Sequence, residues 1–390
     1  MYKNKKIKRS ISFLLFAVLC AAVILSPVFM GSCGKKDSGN PAMTLEYGKN
    51  TTSFSSNIYS YYLSYTKTMM LVNLYMAYGY GAQDIPNMSD LPEYWATTYI
   101  EGITYGDMTK IQAEESLKNL LAVVAYCKEN DLKLSKDEIN TVDVAVKDLI
   151  KDYYGNSKKA LNSVLIRFDI DDEIYKEILK YETLVNDVFG KYLFDPDTGK
   201  RKIPAGTADQ IYQEQCVRVK HILIPYSPGT YDVNGDPEVY TEEEFAEVQA
   251  RIDDLYDRII NGEDFDGLLE ESADGMPFDG YTISEDTGFV QEFKDVAFSL
   301  EIGGVGKAES QFGMHIIKRY ELLPADQATD IDTGYTWAYS LNMQMRSYIT
   351  GDELKPYLDK IEVKKSETDL FSTSTSSVML DCLELIFLLK

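Results

Sequence analysis

Only two imidazoles are available to this 390-residue chain, and each sits in a short run that alternates like a strand. His221 lies in Val217-Arg218-Val219-Lys220-His221-Ile222-Leu223-Ile224, and His315 lies in Gln311-Phe312-Gly313-Met314-His315-Ile316-Ile317. Period-two alternation puts Val217, Val219, His221 and Leu223 on one face, and His315 with Ile317 on one face. A lone strand histidine among aliphatics is usually a hydrogen-bonded core residue. Here both histidines bracket one stretch, Cys216 to Leu323, which points to a shared polar network. Other chemistries are poorly supplied. There is no Gly-Lys-Ser/Thr phosphate loop and no serine nucleophile elbow. Two histidines this far apart, with no acid at ligand spacing, make a weak metal site, so neither metal nor cofactor is expected.

The elements that must hold these residues are legible around them. Thr241-Glu242-Glu243-Glu244 has the form of a capping box, and Phe245, Val248, Ile252, Leu255 and Ile259 continue from it as a helical stripe. Phe293, Val296, Ala297 and Leu300 mark a second helix, stopped at Gly303-Gly304. The stretch therefore reads as strand, helices, strand, strand. Between its first strand and first helix, Asp232-Val233-Asn234-Gly235-Asp236 with Glu243 has the acids of a calcium loop. Pro237 stands where such a loop needs glycine, so a solvated turn is expected there.

The stretch resembles the parvulin-type peptidyl-prolyl isomerase domain. The matching pieces are Lys220-His221-Ile222-Leu223-Ile224, Asn261-Gly262-Glu263-Asp264-Phe265 with Leu268, and Glu271-Ser272-Ala273-Asp274. Val290-Gln291-Glu292-Phe293, Ala297-Phe298-Ser299-Leu300, Gly303 and Phe312-Gly313-Met314-His315-Ile316-Ile317 follow in the same order. The resemblance implies catalytic roles for His221, Asp274 and His315, the histidines orienting a polar network rather than shuttling protons. It implies a substrate-binding surface from Tyr281, Phe289, Phe293, Ser310 and Phe312, with Phe293 as the aromatic wall of a proline cup and Phe289 where a Met is usual. The family's Gly-Gly-Asp-Leu-Gly-Trp element is replaced by Phe278-Asp279-Gly280-Tyr281-Thr282-Ile283. There Tyr281 takes the place of an apolar Leu and brings a hydroxyl that needs a partner. The segment from Tyr226 to Tyr240 has no Lys or Arg, so reading of phospho-Ser/Thr-Pro is disfavoured.

With its flanks the chain is similar to the PrsA/SurA group of extracytoplasmic foldases. The implied fold class is α+β: a helical SurA/PrsA-like chaperone domain made from N- and C-terminal segments, plus a small parvulin α/β domain with a central antiparallel sheet. The expected organisation is a lipoprotein signal peptide over 1–32, a tether over 33–43, a helical chaperone domain over 44–210, the parvulin domain over 216–323, a helical return segment over 324–366, and a linker with an apolar tail over 367–390. In the helical part, Thr51 to Gly79 is one long apolar segment carrying Tyr59, Tyr61, Tyr62, Tyr65, Met69 and Met70. Ser135-Lys136-Asp137-Glu138 is a capping box, and Leu161 to Phe168 and Asp172 to Leu193 read as further helices. Trp337, Leu341, Met345 and Tyr348 are spaced to pack on a helix, and Ile361-Glu362-Val363 is a short strand. The implied partners are unfolded or newly secreted polypeptides with X-Pro bonds. The implied activity is their cis-trans isomerisation, or, alternatively, a holdase role with a silent parvulin domain.

Composition and the N-terminus bound the rest. Formal net charge is -23; residues 1–32 carry five basic side chains and no acid, so the chain without them stands at -28. Such a surface repels phosphate backbones, and nucleic-acid binding is not expected. The five cysteines make no disulfide framework: Cys20 lies in the signal, and Cys127, Cys216 and Cys382 read as buried or incidental thiols. Lys3 to Arg9 precede an apolar run from Ile11 to Met30, which meets Met30-Gly31-Ser32-Cys33. This resembles the bacterial lipobox, implying lipidation of Cys33, cleavage before it, and a lipid-anchored protein on the extracytoplasmic face of the cell membrane. Cys33→Ala is expected to move the protein out of the membrane fraction or to leave its precursor unprocessed. Fractionation and gel mobility identical to wild type would remove the lipid anchor from consideration.

Overall fold

The computed structural model describes residues 40–81, 83–229 and 239–386. The stretch read as a signal peptide, Cys33, most of the expected tether and residues Asp232–Asp236, expected as a turn, lie outside the described residues. The chain divides into two compact units. One is Ile203–Ser347; the other is formed by the described residues within Ile11–Lys202 and Tyr348–Lys390.

The first unit is built on a four-stranded antiparallel sheet. Its spatial order is Tyr281–Ser284, Cys216–Pro225, Gly313–Tyr320, Val305–Ser310. The two central strands are the ones that carry the histidines. Alternation along them sends Ile222, Ile224 and Ile316 to one face, where Ile252, Leu255 and Ile259 of the helix Glu242–Ile260 cover them with Phe265 and Leu268. Val217, Val219 and Ile317 go to the opposite face, under Phe293 and Ala297 of the helix Gln291–Ser299. The Thr241 hydroxyl and the Glu244 carboxylate close the capping box expected from the sequence. This unit is wider than 216–323. The helix Thr207–Gln215 and the residues after Leu323 join it, because Tyr212, Cys216, Ala325, Ala328, Trp337 and Leu341 bury one another in a single cluster.

The second unit is mainly helical, but it does not begin as a helix. Pro41–Tyr47 and Asn50–Ser55 form an antiparallel hairpin. Gly48 turns the chain between them at φ +58°, a conformation that strains any side chain. Met43, Leu45, Thr52 and Phe54 point inward from it. The helix Ser56–Ala77 starts only where the Ser55 side chain accepts from the Ile58 N–H at 3.2 Å. Thr51 to Ser55 therefore extend rather than coil: their partner strand, not their local propensity, decides the conformation. Ile361–Val363 adds to the other edge of the hairpin, pairing with Met43–Leu45. The capping box at Ser135 and Glu138 is present at the head of Lys136–Tyr153. Asp172 to Leu193 is helical but not uniform, since Leu184–Phe189 form a π turn between Asp172–Thr183 and Gly190–Phe194.

The Ser/Thr-rich stretch read as a linker is packed instead. Thr368 and Thr373 are buried, and the Thr373 hydroxyl donates to the Gly106 carbonyl at 2.7 Å. The fully buried Lys67 ammonium donates to the Ser376 carbonyl at 2.8 Å and to the Asp90 carboxylate at 2.5 Å. Small hydroxyls hydrogen-bond locally and fit close against a helix, which composition alone reads as a linker. The tail then docks through Met379, Leu380 and Leu385, all buried, as a short 3-10 turn, Leu380–Leu385. The Tyr175 hydroxyl donates to the Leu385 carbonyl at 2.7 Å. Cys127, Cys216 and Cys382 are buried, and no disulfide joins them. Among the described residues no helix is long and apolar enough to cross a membrane.

If the C-terminal segment is part of this core, Leu380→Ala should destabilise the helical unit by about 2–4 kcal/mol through the cavity it leaves. Urea unfolding followed by far-UV circular dichroism measures it. A midpoint equal to wild type would mean the segment does not pack.

Candidate active site

The strand register brings the two imidazoles together. His221 pairs with Ile317, and Leu223 pairs with His315, so the histidines are diagonal neighbours on one face of the central pair. Their Nδ1 atoms are 3.2 Å apart and the rings lie 24° from parallel. His221 Nε2 sits 2.9 Å from Asp274 Oδ2. At the other end, His315 Nε2 is 2.8 Å from Ser310 Oγ, which also accepts the Phe312 N–H at 3.1 Å.

With both rings neutral, these contacts fix the tautomers. An ionised carboxylate can only accept, so His221 donates its Nε2–H to Asp274 and keeps a bare Nδ1. His315 must then donate its Nδ1–H to that nitrogen, which leaves its own Nε2 to accept the Ser310 hydroxyl proton. One directed line of donors results: Ser310 to His315 to His221 to Asp274. It requires both rings to be neutral, and burial supplies that condition. Desolvation pushes the His315 pKa down to about 4, with the neighbouring His221 adding to the effect. Desolvation also lowers the His221 pKa, against the opposing pull of Asp274.

Aromatic rings seal the line. Phe293 meets both imidazoles edge-on, at 5.1 Å from His221 and 5.3 Å from His315. Phe289 stacks on Phe293 at 4.8 Å, and Tyr281 meets Phe289 at 5.2 Å. Phe293 is completely buried. It is therefore the floor beneath the histidines rather than the exposed wall of a cup. The surface left for an apolar ligand comes from the half-buried Tyr281 and Phe289. Phe312 is 55% exposed and shares in the site through its main-chain bond to Ser310. The Tyr281 hydroxyl finds partners at the Gly275 carbonyl, 3.3 Å, and at Asp274 Oδ2, 3.5 Å. Its pKa is raised, first by burial and then by Asp274.

Asp274 is where the buried line meets the outside. Its side chain is 37% exposed, and it borders a cavity of about 730 Å³ lined also by Lys220, Leu269, Met276 and Phe278. Its position is set by Ser272, which the sequence places in the same motif without marking its role. Ser272 Oγ accepts the Leu223 N–H at 3.0 Å and the Asp274 N–H at 3.2 Å, tying the Asp274 loop to the histidine strand. A serine two residues before a polar turn residue is the only local signal for this role. Gly313 is needed at the start of the His315 strand: its φ is +139°, and a Cβ there would lie 2.2 Å from the Ile224 carbonyl oxygen. Among the described residues no group of three or more His, Cys, Asp or Glu is placed to hold a metal ion.

Residues 207–321 match the family described as PPIC-type PPIASE domain. The foldase protein PrsA of Caldanaerobacter subterraneus is 26% identical over 211 residues. That match covers 50% of this chain and 56% of the relative, a little over half its length. Among solved structures, the peptidyl-prolyl isomerase ESS1 from Candida albicans is 25% identical, covering 28% of this chain and 64% of that one, with a TM-score of 0.22. PrsA from Bacillus cereus is 20% identical, covering 70% of this chain and 94% of that one, with a TM-score of 0.31.

The neutral pair makes the sheet unit sensitive to acid. The His315 pKa is about 4 in the fold and near 6.5 in an unfolded chain. Between these values the unfolded state binds the extra proton, so stability is full above pH 6.5 and falls as the pH drops toward 4. The loss attributable to this ring is roughly 3 kcal/mol at its limit. Urea midpoints across this range should fall more steeply for wild type than for His315→Phe. Parallel curves would show that the ring is not held neutral.

Proposed function

We propose that this chain, whose residues 207–321 are a parvulin-type peptidyl-prolyl isomerase domain of the PrsA-like kind, is a membrane-tethered foldase. It isomerises X-Pro bonds in unfolded or newly secreted polypeptides on the extracytoplasmic face of the cell membrane. The lipobox-like run ending at Cys33 is the support for the tether. The observation that carries the enzymatic reading is the closed hydrogen-bond line from Ser310 to Asp274, sealed by Phe293 and ending at a cavity.

The chemistry asks for little. Rotation about the peptide bond faces a barrier of about 18–20 kcal/mol, and unassisted X-Pro bonds turn over in tens to hundreds of seconds. Turnover near ~10 per second needs a reduction of roughly 4 kcal/mol. No covalent step is required. A twisted amide has lost resonance and much of its carbonyl charge separation, so a dry apolar surface such as Tyr281 and Phe289 favours it over the planar form. Asp274 is the polar group placed to touch the substrate amide. The two neutral imidazoles hold that carboxylate in one orientation, so no reorganisation is needed as the bond twists.

A second reading follows from one observation. Phe278 to Ile283 stands where the family has Gly-Gly-Asp-Leu-Gly-Trp, which favours a holdase with a silent isomerase domain. A proline-peptide isomerisation assay on the full chain separates the two. Asp274→Ala and His221→Ala should each lower kcat/KM by about tenfold or more, a loss of at least about 1.4 kcal/mol in the transition state. Wild-type turnover that neither variant lowers would refute the site. An inactive wild type that still prevents aggregation of an unfolded client would establish the holdase.

A further inference from the structure

The helical unit carries a surface that neither its core nor the isomerase chemistry uses. The end of the helix Ser56–Ala77 and the following turn leave Tyr78 71% exposed and Tyr80 45% exposed. The hairpin Thr98–Ile100 with Ile103–Thr104 leaves Tyr99 40% and Ile100 49% exposed. These belong to one patch. Tyr94 stacks on Tyr105 at 4.4 Å, and Tyr99 meets Tyr105 edge-on at 5.2 Å. Tyr80 meets Tyr75 edge-on at 5.6 Å, and Tyr75 belongs to the core cluster on which Tyr94 and Tyr105 pack. The rings are anchored below by Trp95 and Leu71 in the core.

Three features say what fits there. First, from Thr68 to Thr109 the sequence contains no Lys or Arg and five acids, Asp84, Asp90, Glu93, Glu101 and Asp107, of which Asp90 is paired with the buried Lys67. Glu93 and Glu101 are exposed beside the tyrosines in sequence. Second, the hairpin of Thr98–Ile100 and Ile103–Thr104 is a two-stranded sheet to which no third strand is added among the described residues, and Thr98–Ile100 is exposed throughout. Such an edge accepts an extended chain by main-chain hydrogen bonds. Third, tyrosine faces attract cationic side chains and pack against proline and other apolar groups.

We infer that this tyrosine-rich, acid-edged surface docks extended polypeptide segments in which Lys or Arg alternates with apolar residues and proline. It refines the foldase reading, on which it rests for the source of such segments, by giving the helical unit a preferred class of client. Anionic lipid is the wrong partner for the same surface, because its charge would oppose the carboxylates.

The test is direct binding to the full chain, read by fluorescence anisotropy. The probe is a short labelled unstructured peptide of Lys, Pro and Phe, compared with the same peptide carrying Glu for Lys. The Lys peptide should bind at least about tenfold tighter, a difference of about 1.4 kcal/mol, and the preference should shrink as salt rises. Tyr78→Ser with Tyr99→Ser and Ile100→Ser should weaken it by about tenfold or more. The pair Glu93→Lys and Glu101→Lys, on exposed positions that leave the packing intact, should remove or reverse the charge preference. Equal binding of the two peptides, or undiminished binding by both sets of variants, would overturn the proposal. So would tighter binding to phosphatidylglycerol vesicles that the tyrosine variants abolish. No turnover enters this readout. An inactive sheet unit would leave the docking result standing, and a failure of docking would leave the isomerase reading untouched.

Discussion

The bond between two Nδ1 atoms is the constraint on which the sheet unit turns. Two imidazoles can share it only if one donates and the other accepts, and when both rings are neutral their outer nitrogens must take opposite roles. The carboxylate of Asp274 and the hydroxyl of Ser310 meet those roles at the two ends. Everything nearby serves this arrangement. The register of the central strands sets the rings on one diagonal. Gly313 lets the His315 strand approach its neighbour. Phe293 keeps water from the rings. A charged imidazole at either position would reverse part of the line and would have to be desolvated as well.

The two faces of this sheet divide the work. The face under Glu242–Ile260 is an aliphatic core with no share in the polar line. The opposite face mixes the same kind of core with the histidines, and its polar line surfaces at Asp274, with Ser310 half-buried at the other end. Such a site is rigid where the carboxylate is oriented and open where Asp274 meets solvent. Tyr281 fits this plan even though it departs from the family's element, because its hydroxyl is satisfied by Gly275 and Asp274.

The helical unit is organised differently. Its sheet is completed by Ile361–Val363, and its core takes in Leu380 and Leu383 from the chain end. Contacts between such distant parts of the sequence must form late, after a large loss of chain entropy. Lys67, buried and bonded to both Asp90 and the Ser376 carbonyl, ties the end of the chain to the first long helix. With its apolar groups so committed, the unit's tyrosine surface is left to solvent.

What the sequence determined was whatever depends on near neighbours. Period-two alternation assigned His221 and His315 to strand faces, and the boxes at Ser135 and Thr241 started their helices where hydroxyl and acid stand three apart. The spaced motifs from Lys220 to Ile317, Asp274 among them, carried the resemblance to the domain family that residues 207–321 match. Tertiary structure decided whatever depends on partners far along the chain. Residues 41–55 pair as strands because each has a strand to meet, although the segment from Thr51 reads as part of an apolar helix. The Ser/Thr stretch before the tail is buried because Lys67 and Gly106 offer its polar groups bonds. Phe293 became a floor rather than a wall because two imidazoles lie across its edge. Ser272 matters only because Leu223 comes within reach of its hydroxyl. Local pattern fixes which way a side chain faces; only the folded chain fixes what it faces.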